Sequence, residues 1–164
     1  LLLTGIDMPQ QTVNTLRQHL EEALAGLEGR SRIVVFGCDR GADAKVLAAP
    51  DTAVISLMCT GILPPSFVEY ALRGGADGVL LTGCRSGGCD FRLGERWTAE
   101  RMTGQREPRL RSKVPLARLQ LVFASSNDGK VLAAALQEFR TRIQTHAVYD
   151  DPLPPYFRRT SHHA

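Results

Sequence analysis

Four cysteines, Cys38, Cys59, Cys84 and Cys89, are the residues of this 164-residue chain with the most chemistry in them. Their placement is regular. Cys38 closes the run Ile33-Val34-Val35-Phe36-Gly37, Cys59 follows Ala53-Val54-Ile55-Ser56-Leu57-Met58, and Cys84 follows Gly78-Val79-Leu80-Leu81-Thr82-Gly83. Cys89 stands beyond Arg85-Ser86-Gly87-Gly88, a loop flexible enough to fold back beside Cys84. Each apolar run reads as a buried strand. In a parallel sheet the C-terminal strand ends share one edge, where open α/β sheets place their chemistry. All four sulfurs can therefore meet in one small volume. A buried cysteine can also serve as a small hydrophobe, but core cysteines placed at random would not all fall at strand ends.

Four converging thiolates suit a closed tetrahedral zinc site or an iron–sulfur cluster. Ribbon-type zinc sites draw on paired C-x₂-C knuckles, which this chain lacks. Ligands scattered over three strands fit a wider, polynuclear centre better. Two thiol chemistries compete with a metal centre. One is a sulfur relay, with Arg85 and loop amides activating Cys84; the other is a reversible Cys84–Cys89 disulfide. A thiol-phosphatase loop is excluded, because Asp90 stands where the phosphate-cradling arginine would be. No strand leads into G-x-G-x-x-G and no P-loop is present, so this domain alone should not bind a nucleotide cofactor. His19, His146, His162 and His163 are distant in sequence from the cysteines and read as ordinary surface residues.

The elements that must position the cysteines alternate. Val13, Leu16, Leu20, Leu24 and Leu27 recur at helical spacing between Gln11 and Leu27. A short helix is expected from Lys45 to Ala49, another from Ser66 to Leu72 after Pro64-Pro65, a third beginning near Leu93 and interrupted around Pro108, and a last from Lys130 to Ile143. Leu119–Ala124 is a fourth strand. Strand–helix alternation at this spacing predicts an α/β fold: three layers, Rossmann-like, with a four-stranded, mostly parallel sheet and flanking helices. The chain divides into a helical lead-in over residues 1–30, an α/β domain over 31–145, and a Pro-, Arg- and His-rich tail over 146–164 expected to be disordered.

Composition sets bounds. Hydrophobic residues make up 43% and charged residues 23%, ordinary for a globular domain. A net charge of +3 does not by itself point to nucleic acid. No apolar run approaches the roughly 20 residues of a membrane span, and the opening Leu-Leu-Leu lacks the pattern of an export signal, so a cytoplasmic location is expected. The chain begins at Leu1, which suggests processing or a domain of a longer polypeptide. From Arg92 to Arg118 eight basic residues face three acidic ones, a local excess of five. That stretch is either a solvated surface or a docking face for an acidic redox partner. Trp97, its single aromatic, gives little support to nucleic-acid binding.

Phe36-Gly37-Cys38, Met58-Cys59-Thr60-Gly61, Gly75-Ala76-Asp77-Gly78-Val79-Leu80 and Gly83-Cys84-x₄-Cys89, in this order, resemble the iron–sulfur delta subunit of methyl-viologen-reducing (F420-non-reducing) hydrogenase. The resemblance runs from about Arg32 to Ile143. It implies a [2Fe–2S] cluster held by Cys38, Cys59, Cys84 and Cys89, and a protein complex with a hydrogenase or a heterodisulfide-reductase-like iron–sulfur flavoprotein. The implied role is electron transfer between such partners by a component that turns over no substrate itself. A cluster-less docking module is the alternative from another class. The chain departs from the family pattern at Gly41, where relatives carry a further cysteine, at Asp90-Phe91, and at Glu95 after Gly94.

Overall fold

The computed structural model describes residues 8–145. Four strands, β1 (Ile33–Cys38), β2 (Thr52–Leu57), β3 (Gly78–Gly83) and β4 (Leu119–Phe123), form one sheet in the order β2-β1-β3-β4. Every pairing is parallel, with Phe36 beside Ile55 on one side and Leu81 on the other. The helices are α1 (Val13–Gly26), α2 (Ser66–Arg73), α3 (Gly94–Met102) and α4 (Gly129–Thr145). Three 3₁₀ turns, Ala44–Leu47, Thr60–Ile62 and Leu116–Arg118, complete the ordered elements. The expected short helix after β1 is thus only a 3₁₀ turn. The α/β sandwich read from the sequence is the observed fold, and its sheet is wholly parallel. The tail expected beyond residue 145 lies outside the described residues.

The central strands β1 and β3 are buried at every residue, which is why their sequences run apolar without alternation. Their side chains still point alternately to two faces. Val34, Phe36, Val79 and Leu81 pack with Leu16, Leu20 and Leu24 of α1 and Phe67, Val68 and Ala71 of α2. Ile33, Val35 and Leu80 face the other way, onto Leu132, Leu136, Phe139 and Ile143 of α4. Burying a large aliphatic side chain is worth about 1.5–3 kcal/mol, so two such layers clamp the sheet from both sides.

Part of the sequence pattern serves the sheet's opposite end. Asp77 accepts from the Arg32 backbone N–H at 2.8 Å and pairs with its guanidinium at 3.2 Å. This joins the chain entering β3 to the chain entering β1. Gly78 lies against Phe139, whose ring a Cβ would meet at 2.7 Å. The Gly-Ala-Asp-Gly stretch is therefore structural. With strand starts fixed at that end, the strand exits are fixed at the other.

Candidate functional site

Strand order decides which cysteines meet. Because β1 lies between β2 and β3, the exits of these three strands are adjacent. Cys38 is the last residue of β1, Cys59 stands two residues past β2, and Cys84 one past β3. Cys38, Cys59 and Cys84 are buried, and Cys89 is half-buried. The structure brings all four sequence-predicted residues to one edge, and it pairs them. Cys38 Sγ and Cys84 Sγ are 3.5 Å apart. Cys59 and Cys89 interact with each other and share a neighbour in Gly94, where a Cβ would collide with Cys59 Sγ and meet Cys89 Sγ at 3.0 Å.

The loop after Cys84 explains this partnering. The Gly88 N–H donates to the Arg85 carbonyl at 2.8 Å, and Gly87 takes a φ of +80°, open to glycine at little cost. A second turn, in which the Arg92 N–H donates to the Cys89 carbonyl at 2.8 Å, leads into α3. The two turns carry Cys89 away from Cys84 and set it beside Cys59, under the first residue of α3. The Cys84–Cys89 disulfide considered from sequence is therefore not the contact the fold makes.

Side chains to which the sequence assigned no role here, Thr98 and Arg101 among them, hold this arrangement. Thr98 Oγ1 donates to the Gly94 carbonyl at 2.7 Å and, its one proton so used, accepts from the Thr60 hydroxyl at 3.1 Å. Arg101 Nη1 donates to the Gly61 carbonyl at 2.9 Å. These bonds tie α3 to the 3₁₀ turn that follows Cys59. Glu95, 7% exposed, accepts from the Gly87 N–H at 3.3 Å and steadies the cysteine loop. Arg40 and Asp90 form a salt bridge at 3.1 Å between the segments that follow Cys38 and Cys89. The one signal in the sequence was Gly94 itself, a glycine with no turn to explain it.

Burial dominates the electrostatics. It pushes the Cys59 thiol up to about 11, with the neighbouring Cys89 and Cys38 adding to the effect. It pushes Cys84 up to about 12, with Cys38 the next contributor and then Cys89 and Cys59. The four sulfurs thus lie in one another's field. The Gly61 N–H, 3.4 Å from Cys59 Sγ, works in the opposite direction and favours the thiolate. Left to themselves Cys59 and Cys84 are neutral thiols at pH 7; a cation among the sulfurs would favour the thiolates. Among the described residues no three Cys, His, Asp or Glu side chains close on a point as a single metal ion requires. The sulfurs form two pairs instead.

Gly41, where the resemblance leads one to expect a further cysteine, is close to this edge. A Cβ there would press on the Ala124 carbonyl oxygen at 3.1 Å and the Gly83 carbonyl oxygen at 3.2 Å. The basic stretch is only partly a surface. Arg118 is buried, and Arg111 and Lys113 reach the buried Glu69 at 3.7 and 3.4 Å. The exposed positive charge that remains near the cysteines is on and around α3. Beside Cys59 an apolar pocket of about 150 Å³ opens between Met58, Ile62, Phe91 and Trp97; no periodicity or motif marks it in the sequence.

Residues 32–146 match the family described as methyl-viologen-reducing hydrogenase, delta subunit. The chain is similar to a component of the ferredoxin:CoB-CoM heterodisulfide reductase of Methanosarcina mazei, with 35% identity over 91 residues, 56% of this chain and 12% of that protein. It is similar also to an iron–sulfur subunit of the F420-non-reducing hydrogenase of Archaeoglobus profundus, with 28% identity over 95 residues, 58% of this chain and 69% of that one. An iron–sulfur subunit of the F420-non-reducing hydrogenase of Methanococcus voltae is 36% identical over 62 residues, 37% of this chain and 43% of its own length. The chain thus spans a small part of the first relative and a larger part of the second. With the match extending from the entry of β1 to the end of α4, this chain belongs to the methyl-viologen-reducing hydrogenase delta-subunit family.

Proposed function

We propose that Cys38, Cys59, Cys84 and Cys89 hold a [2Fe–2S] cluster, and that the domain relays electrons between a hydrogenase or another donor and a heterodisulfide-reductase-like iron–sulfur flavoprotein. The observation that carries this reading is the pairing of the sulfurs: Cys38 with Cys84 at 3.5 Å, Cys59 with Cys89 across Gly94. Two sulfurs bound at about 2.3 Å to one tetrahedral metal stand about 3.8 Å apart. Two pairs on a common edge match two metal centres side by side better than one. A bound cluster of this kind accepts and returns one electron at a time.

The chain's own residues supply the surroundings. The buried edge excludes water from Cys38, Cys59 and Cys84. The Gly61 N–H offers Cys59 a hydrogen bond of the kind that tunes reduction potential. Thr98, Arg101 and Glu95 keep α3 and the cysteine loop in place. No helix among the described residues is long and apolar enough to cross a membrane, and the proposed setting is a cytoplasmic complex. The raised thiols of Cys59 and Cys84 argue against a sulfur relay, which needs a thiolate at neutral pH.

Iron and acid-labile sulfide analysis of anaerobically purified protein tests the proposal. Two irons and two sulfides per chain are expected, with a visible charge-transfer spectrum that bleaches on reduction. Iron-free protein whose four thiols all titrate would refute it and leave the docking module.

A further inference from the structure

We infer that the apolar pocket beside Cys59 is the seat of a partner protein's aromatic side chain, presented on an acidic surface. The proposal deepens the electron-transfer reading above and rests on it for the purpose of the contact. The pocket holds about 150 Å³ between Met8, Met58, Ile62, Phe91 and Trp97, with Cys59 in its wall. A cavity of that size lined by apolar groups takes one benzene ring. Phe91 is 51% exposed and the neighbouring Leu93 40%, although both flank the most buried chemistry of the molecule. Exposed apolar residues rimming a preformed pocket mark a binding surface rather than a solvated one.

Charge around the pocket specifies the partner. Arg106 stacks its guanidinium 5.1 Å from the Trp97 ring centre. Arg101 reaches the Gly61 carbonyl in the pocket wall at 2.9 Å. Arg92 and Arg96 are exposed beside Phe91 and Trp97. Against these four guanidiniums stand Glu100, which Arg96 and Arg106 both engage, and Glu95, which is buried and turned to the Gly87 N–H; Asp90 is balanced by Arg40. Such a rim repels a basic partner and attracts carboxylates, setting orientation and on-rate. A ring seated in the pocket lies against Cys59, so docking brings the partner to the cysteine edge.

Trp97 is the only tryptophan in the chain and lines the pocket, so it reports occupancy directly. The probe is a synthetic capped peptide, Asp-Glu-Phe-Glu-Asp, titrated into the anaerobic full chain while Trp97 emission is followed. A saturable change is expected, weakening at least tenfold when the peptide's Phe is replaced by Ala, when Ile62→Glu or Phe91→Ser is introduced, or when salt is raised from 50 to 500 mM. No saturable change in the wild type, or equal affinity for the Phe and Ala peptides, overturns the proposal. Unchanged binding by both variants does the same. Binding that appears only once a dimer is dissociated assigns the pocket to a second copy, and binding that appears only in a chain starting at Met8 assigns it to the chain's own leading residues; either result also overturns it. Iron content is measured in the same samples. Intact iron without binding defeats the docking surface alone, and binding by iron-free protein defeats the cluster alone.

Discussion

Replacing Gly94 with alanine probes the least forgiving contact in the site. The added Cβ would collide with Cys59 Sγ and lie 3.0 Å from Cys89 Sγ, against an ordinary separation of about 3.5–4.0 Å between such atoms. Helix α3 cannot simply retreat. Withdrawal would stretch the Thr98–Thr60 hydrogen bond at 3.1 Å and the Arg101–Gly61 bond at 2.9 Å, each worth about 1 kcal/mol. Overpacking of this kind costs about 1–3 kcal/mol. At about 2–4 °C per kcal/mol for a chain of this size, Gly94→Ala should lower the thermal midpoint by about 2–12 °C. With the proposed cluster bound, the sulfurs could not rotate aside, and iron per chain should then fall below half the wild-type value. Gly26→Ala is the control. Gly26 ends α1 with nothing within 4 Å of a Cβ, and alanine is preferred to glycine in a helix by about 0.8–1 kcal/mol, so its midpoint should rise slightly. Differential scanning calorimetry with iron analysis reads both. A Gly94→Ala protein with wild-type midpoint and iron content would refute the close approach of α3 to the cysteine pair.

Three further outcomes follow from particular contacts. Burial alone would raise the Glu69 carboxyl, but Arg73 at 2.8 Å, with Arg111 and Lys113, outweighs it and holds the group below the usual carboxylate range. Its folded value being depressed, the stability it contributes is complete above the ordinary carboxylate pKa and is lost as pH falls through the lowered folded value; Glu69→Gln should flatten that part of the acid-unfolding profile and cost about 1–3 kcal/mol at pH 7, measured by urea titration at several pH values. Asp77→Ala removes the acceptor of the Arg32 N–H and its ion pair and should cost about 2–3 kcal/mol without changing the absorbance per iron of the protein that folds. Gly41→Cys would press its Cβ on two carbonyl oxygens at 3.1 and 3.2 Å; a loss of about 1–2 kcal/mol is expected, with five titratable thiols in the iron-free protein and no gain in iron per chain.

Much of the fold was legible because it rests on local pattern. Short unbroken apolar runs at Ile33–Phe36 and Val79–Leu81, each closed by glycine or cysteine within three residues, read as strands covered on both faces, and α1 and α4 show one apolar stripe each. The stretch after β1 misled, because Asp43 caps a turn by accepting from the Lys45 N–H at 2.9 Å, and a single turn carries too few residues to show a helical period. Charge misled differently. Arg118 belongs to the basic stretch read as a solvated surface or docking face, but it is buried in the fold, as is Glu69. A list of residue types cannot register burial.

The cysteines show where the division falls. That three of them end strands, and that a parallel sheet gathers strand ends at one edge, follows from the sequence alone, because strand type and direction are set by local periodicity and by short right-handed crossovers. Which sulfur faces which does not follow from it. That depended on β1 lying between β2 and β3, on two turns carrying Cys89 across to Cys59, and on a glycine at the start of α3 with no side chain to keep the sulfurs apart. Each is a contact between segments distant along the chain, fixed by the packing of the whole and invisible to any window of sequence.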